Sequence, residues 1–263
     1  MMKDYSKYDH FKVEKDGKVA ILTMDRPESM NAFNDKLHKQ TEELFHEVAF
    51  DDTVNAIILT GAGKAFSAGG DVRAMQTTEL SKIGSPEETM QLTLNLLRIT
   101  QPIIAAVNGN AIGLGATVAL FCDIVIASES ARIGDPHVKV GLVAGDGGCV
   151  IWPLLVGMNI AKEMLMRGRL LTAKEAENMG LVNHCVPPAE VMPKALEIAH
   201  ELANGPIKAI KWTKMSLNKK LINDVNLILP TSLALEYLSM YSEDHKEATS
   251  AFLEKRKPKF TGR

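Results

Sequence analysis

Residues 134–148 read GDPHVKVGLVAGDGG and place an imidazole, His137, and a carboxylate, Asp146, nine positions apart. Histidine suits acid–base work near neutral pH because its unperturbed pKa is about 6.5. A carboxylate beside it either orients the ring or acts as a second acid or base on another face of a substrate. Five glycines in these fifteen residues impose tight turns. The same pattern also has a plainer reading: a half-buried loop histidine, with Asp146 as the N-cap of a helix beginning at Gly147.

A second constellation offers backbone rather than side chains. Ser67-Ala68-Gly69-Gly70-Asp71 and Gly109-Asn110-Ala111-Ile112-Gly113-Leu114-Gly115 are two glycine-rich turns, each feeding a helix start. Small residues leave peptide N–H groups uncovered, and the helix dipole reinforces their positive end. If the two turns meet in space, two N–H groups could converge on one carbonyl oxygen as an oxyanion hole; losing one such donor typically costs about 10²–10³ in rate. Close helix–strand packing needs the same small residues, so both readings stand at this level.

Other chemistries lack their spacing. Gly61-Ala62-Gly63-Lys64-Ala65 misses both the length and the hydroxyl of a phosphate-binding P-loop. Gly113-Leu114-Gly115 continues Ala116-Thr117-Val118, without the third glycine of a dinucleotide fingerprint. His10, His38, His46, His184, His200 and His245 have no metal-ligand spacing and read as lying on solvated faces, so no metal is expected. The basic run Lys255-Arg256-Lys257-Pro258-Lys259 reads as a solvated helix end or a phosphate contact.

These residues must be positioned by alternating elements. Lys18–Met24, Val54–Thr60, Pro102–Val107 and Asp123–Ser128 are apolar strand-like runs, and Ala65–Ala68 is a short extended piece. Asn34 caps a helix over Asp35–Ala49; Pro86–Arg98 and Gly113–Phe121 are further helices. Two strand-like pieces often precede each helix, so the pattern predicts an α/β fold of repeated ββα turns with parallel pairing. Beyond about residue 190 only helices are predicted: Val191–Ala203, Ile207–Lys219, Val225–Tyr241 and Ser242–Lys255. The chain is thus divided into residues 1–190, a core carrying the site, and 191–263, a helical region suited to oligomerisation.

With 263 residues, 46% hydrophobic and 24% charged, the chain can bury a large core unaided. A net charge of −2 carries no basic field for nucleic acid. The apolar window 103–128 is broken by Asn108, Asn110, Asp123 and glycines, which reads as buried strands and helix rather than a membrane span. The polar start MMKDYSKYDHFK lacks a secretory apolar region, and three scattered cysteines (Cys122, Cys149, Cys185) fit a reducing, cytoplasmic setting.

Taken together, LTMDRPESMNAFN (22–34), ILTGAGKAFSAGGDVRAM (58–75), PIIAAVNGNAIGLGATVALFCDIVIASESARIG (102–134), the GLV of 180–182 and SAFLEKRKPKF (250–260) resemble the enoyl-CoA hydratase/isomerase (crotonase) superfamily, in family order along nearly the whole chain. The resemblance implies a crotonase-like spiral of ββα turns with C-terminal helices that build trimers or dimers of trimers. It implies an acyl-CoA thioester substrate, with coenzyme A arriving as part of the substrate and no prosthetic group. The oxyanion donors would be Gly70 and Leu114. CoA would be gripped by Arg26, Ser29 and Ala32, by Ala68, Gly70, Asp71 and Val72, and by Lys255, with Thr117, Ala144, Trp152 and the 75–89 segment shaping the acyl pocket. The chain departs from the hydratase pattern where two glutamates serve water addition: Thr117 and His137 stand in those places. A threonine hydroxyl cannot replace a carboxylate as general base. The His137/Asp146 spacing, with Trp152-Pro153 following, is similar to the β-diketone hydrolase branch exemplified by 6-oxocamphor hydrolase, although Leu114 stands where that branch has a further histidine. The expectation is a thioester enolate held by Gly70 and Leu114, with His137/Asp146 acid–base chemistry such as C–C hydrolysis of a 3-oxoacyl-CoA. The alternatives are an atypical hydratase, a dienoyl-CoA-type isomerase, and a catalytically silent acyl-CoA-binding subunit.

Overall fold

The computed structural model describes residues 3–71 and 86–263. The chain opens with a hairpin, β1 (Phe11–Asp16) and β2 (Val19–Met24), turned at Gly17, whose φ of +59° suits a residue without Cβ. Sequence patterning missed β1 because only Phe11 of its six residues is buried. Asn34 caps α1 (Asp35–Ala49) as expected, its side chain accepting the Leu37 N–H at 2.8 Å.

From there the chain repeats one unit. β3 (Ala56–Gly61) is followed by β4 (Ala65–Ser67) and, further on, by α2 (Pro86–Arg98). β5 (Ile103–Val107) and β6 (Asn110–Ile112) lead into α3 (Leu114–Leu120). β7 (Ile124–Ser128) and β8 (Arg132–Gly134) lead to a 3-10 turn at His137–Val140, then α4 (Gly148–Val156) and α5 (Met158–Arg167). β9 (Leu170–Thr172), α6 (Ala173–Asn178) and β10 (His184–Val186) complete the core. The first strand of each pair joins a six-stranded sheet, β1-β2-β3-β5-β7-β10, and the second a four-stranded sheet, β4-β6-β8-β9. Pairing is parallel except at β1–β2 and β8–β9. This is the expected spiral of ββα turns.

All residues of β3 and β5 are buried because both faces of the larger sheet are covered. Ile57, Leu59, Ile103, Ala105 and Val107 face the main core. Ala56, Ile58, Ile104 and Ala106 face α7 (Val191–Asn204), which meets them with Val191, Ala195, Ala199 and Ala203, one per turn. Small residues at four-residue spacing let that helix lie close on the strands. The 103–128 window is the buried strand–helix–strand its polar interruptions indicated, and no helix among the described residues is long and apolar enough to cross a membrane.

The C-terminal region departs from expectation. Ile207–Lys219 and Val225–Tyr241 form one continuous helix, α8 (Ile207–Met240), followed by α9 (Glu243–Leu253). The polar 218–224 stretch reads as a break, yet Leu221 and Ile222 pack on the core and Val225, Leu229 and Leu233 continue the stripe. Asn218 donates to Leu97 O at 2.9 Å and buried Lys214 pairs with Asp123 at 2.7 Å, so the polar residues are held by tertiary partners. Tertiary packing overrides the local signal there.

Candidate active site

The smaller sheet brings the chemistry together. β4, β6 and β8 are parallel neighbours, with Ser67 opposite Ala111 and Ile112 opposite Gly134. Their C-terminal ends therefore lie side by side, and each ends in a predicted feature: the Gly69-Gly70 turn, Gly113-Leu114, and Asp135–His137. The approach is close. A Cβ on Gly69 would lie 2.5 Å from Ile112 O and 3.6 Å from Gly113 Cα, and one on Gly113 would lie 3.3 Å from His137 Cε1. Gly113, at φ +53°, is thus a place where a side chain would meet both backbone strain and the imidazole.

The two expected donors sit in this junction. Phe33 N–H donates to Gly69 O at 2.7 Å and Asp71 N–H to Phe33 O at 3.0 Å. Those flanking bonds turn the Gly70 N–H away from the Phe33 segment, and among the described residues it has no acceptor. Leu114 is the first residue of α3, where an N–H has no partner within the helix.

The predicted CoA residues form a folded turn beside this site. Ser29 N–H and Asn31 N–H both donate to Arg26 O, at 3.1 and 2.9 Å, Ala32 N–H donates to Ser29 O at 3.1 Å, and Ala68 N–H donates to Met30 O at 2.9 Å. Buried Asn31 donates to Ala62 O and Ala65 O, locking the turn to β4. The Arg26 guanidinium is turned inward, bonded to Ala32 O and 3.6 Å from Asp71 Oδ2. It therefore ties the turn to the Gly69-Gly70 loop. Val72, together with most of the 75–89 segment, lies outside the described residues; Thr89 Oγ1 is 2.8 Å from Tyr237 OH. Lys255 is exposed beyond α9, and no hydrogen bond or ion pair among the described residues joins it to the other predicted ones. Trp152 is wholly enclosed in the core.

His137 and Asp146 do meet. Asp146 is not a helix cap: Gly147 holds that position, and the Asp146 carboxyl instead accepts from Thr117 Oγ1 at 3.1 Å and faces His137 Nε2 at 3.5 Å. Thr117 and His137, the two positions where the resemblance places glutamates, thus flank one carboxylate.

Two partners escaped the sequence reading. Asp135 Oδ1 is hydrogen-bonded to His137 Nδ1, so the ring is oriented by a residue two positions away rather than by Asp146. Glu236, from α8, places Oε1 4.0 Å from His137 Nε2. Its signal lay in the stripe Leu229, Ser232, Leu233, Glu236, which follows the three- and four-residue spacing of one helix face. All four groups are at least nine-tenths buried: Asp135 1%, His137 8%, Asp146 7% and Glu236 7% exposed.

The loop bearing them is clamped by the C-terminal helices. His245 Nδ1 bonds to Val140 O at 2.7 Å, Val143 N–H donates to Ser239 Oγ at 3.3 Å, and Ser232 Oγ donates to Gly145 O at 2.8 Å. His245 is accordingly buried, not on a solvated face. Residues past 190 supply both the clamp and Glu236.

Burial and charge oppose each other here. Burial would lower the His137 pKa, but Asp135, Asp146 and Glu236 together raise it well above 6.5, which favours the imidazolium. Burial pushes Asp146 up to about 6, against the opposing pull of His137. Burial, reinforced by Asp146, pushes Glu236 up to about 8. Asp135, His137 and Asp146 also offer ligand atoms within 4.8 Å of one another, the only such set among the described residues. Those atoms already pair with each other, and Nδ1 is engaged by Asp135.

Parallel ββα turns thus bring the Gly70 and Leu114 N–H groups beside a buried imidazole–carboxylate cluster, in an α/β fold. Residues 14–263 match the enoyl-CoA hydratase/isomerase family, to which this chain belongs. It is 40% identical over 253 residues to a short-chain-enoyl-CoA hydratase of Clostridium acetobutylicum, covering 93% of this chain and 95% of the other. It is 35% identical to 1,2-epoxyphenylacetyl-CoA isomerase of Escherichia coli, with the same coverage. An enoyl-CoA hydratase/isomerase structure from Mycobacterium paratuberculosis superposes with a TM-score of 0.86 at 36% identity, covering 92% of this chain and 97% of that one.

Proposed function

We propose that this protein cleaves a C–C bond of a 3-oxoacyl-CoA by water, holding the thioester enolate between the Gly70 and Leu114 N–H groups. The observation that carries the reading is the His137–Asp146 contact of 3.5 Å beside the Gly113-Leu114 turn. Its support also includes the β-diketone hydrolase spacing of that pair and the absence of glutamate at positions 117 and 137.

The directions of the pKa shifts support the following roles. Asp146, the anionic member, takes a proton from water as it attacks C3. The C2–C3 bond breaks with its electron pair moving toward C2 and the thioester, whose oxygen the two N–H groups stabilise. Cationic His137 then delivers its Nε2 proton to C2. The products are a carboxylic acid from the C3 side and a shortened acyl-CoA. Proton transfer from Asp146 to His137 across the 3.5 Å gap resets the pair. Asp135 keeps Nε2 aimed at the pocket throughout.

Coenzyme A enters as part of the substrate, gripped by backbone of the 26–32 and 68–72 segments, and Lys255 reaches its phosphates in the assembled oligomer. Exposed apolar residues on the C-terminal helices, including Leu227, Leu238 and Phe252, fit trimer contacts. The free cysteines fit a cytoplasmic setting. The second reading is double-bond isomerisation, favoured by two proton-transfer groups on one pocket. Mass spectrometry of an acyl-CoA panel tests these readings. Cleavage of 3-oxoacyl-CoA to an acid and a shorter thioester is expected. Addition of water to an enoyl-CoA, or a double-bond shift without mass change, would replace it by the corresponding alternative. Binding without any product would make the chain a silent acyl-CoA-binding subunit.

A further inference from the structure

The proposed reaction has two oxygens to satisfy, and the two backbone N–H groups serve only one of them. Attack of water on C3 turns the C3 ketone oxygen into an alkoxide before the enolate forms at C1. In a water-poor pocket, that developing charge needs its own donor. His137 cannot serve it throughout, because its Nε2 proton is destined for C2.

Glu236 has the position and the free valence. Its Oε1 faces His137 Nε2 at 4.0 Å, beyond hydrogen-bond distance. Oε2 is fully enclosed without a hydrogen-bond partner. The Gly145 backbone fixes how far the side chain can withdraw, since a Cβ there would lie 2.6 Å from Oε2. Ser232, one turn earlier on α8, holds Gly145 O at 2.8 Å, so helix and loop move as one piece. A buried carboxyl left with an open hydrogen-bonding position is costly unless a ligand fills it. Burial, reinforced by Asp146, pushes the Glu236 carboxyl up to about 8, which favours a protonated form able to donate as well as accept.

We propose that Glu236 is the specificity-determining residue of this site: its carboxyl hydrogen-bonds the C3 oxygen of the acyl chain and so selects 3-oxoacyl-CoA over acyl-CoA lacking that oxygen. The inference rests on the acyl-CoA reading above, with the thioester at Gly70 and Leu114. The Glu236–C3 contact also places the C2–C3 bond between the two donor sets.

Binding of matched pairs, a 3-oxoacyl-CoA and the saturated acyl-CoA of equal length at several chain lengths, tests it by calorimetry. A His137→Ala background suppresses turnover. That background is expected to prefer the 3-oxo member by about tenfold or more. Adding Glu236→Leu should erase the preference while leaving saturated acyl-CoA affinity unchanged, and adding Glu236→Gln, which retains a donor, should restore part of it. An equal preference with Leu at 236, or no preference before that change, overturns the assignment. A parallel loss of both ligands with Leu but not with Gln also overturns it, in favour of a structural role. If neither CoA ester binds the His137→Ala protein or the wild type, the acyl-CoA reading itself fails.

Discussion

A carboxylate at position 135 changes what the carboxylate at 146 can do. Asp135 engages Nδ1 and fixes the ring, which leaves Nε2 facing Asp146. Sequence spacing singled out His137 and Asp146 because two unlike groups in a glycine-rich stretch are conspicuous. It passed over Asp135 because Asp-Pro-His looks like ordinary turn chemistry. Asp135→Asn keeps an acceptor for Nδ1 but removes the charge that raises His137. It should lower kcat by about 10²-fold or more with little change in KM. The alkaline limb of its kcat–pH profile should move to lower pH, because His137 then loses its proton earlier. A kcat and profile matching wild type would show that Asp135 does not act through the imidazole.

Elements place the site by ending together. Three parallel strands of the smaller sheet, β4, β6 and β8, deliver the Gly70 turn, the start of α3 and the His137 turn to one edge. The buried strands and α1 were legible because their signals are local: continuous apolar runs, and Asn34 ahead of a helical stripe. Which turns would meet was not local, since it depends on strand order. Glu236 was hidden for the same reason, carried on a helix whose continuity depends on core contacts at Leu221 and Ile222. The element-level claim is that the first N–H of α3 does chemistry. Proline is tolerated at the first helical position, so Leu114→Pro removes that N–H without breaking α3. A loss of about 10²–10³ in kcat is expected relative to Leu114→Ala, which keeps the donor. Circular dichroism should show both folded, and equal rates for the two variants would remove Leu114 from the oxyanion site.

At the scale of the whole molecule, the buried cluster couples stability to pH. His137, Asp146 and Glu236 all have folded pKa values raised above their unfolded ones. Each therefore holds protons longer when folded than when unfolded, so the folded chain binds more protons between about pH 5 and pH 8 and stability falls as pH rises. His38, lowered by burial, works in the opposite direction. The surface carboxylates lowered by ion pairs, such as Glu247 at about 2, are ionised in both states over this window and leave the slope alone. Thermal melts should show a Tm that declines from pH 5 to pH 8 and declines less in an Asp146→Asn/Glu236→Gln double variant; equal slopes would mean the cluster titrates as it does unfolded. The central claim is that the imidazole standing in a glutamate's place carries the chemistry in this family member. The most direct measurement is turnover and acyl-CoA affinity of His137→Ala, determined side by side on the substrate that the wild type processes. The account predicts a rate loss of about 10²–10⁴ with acyl-CoA affinity retained; turnover at the wild-type rate would contradict it.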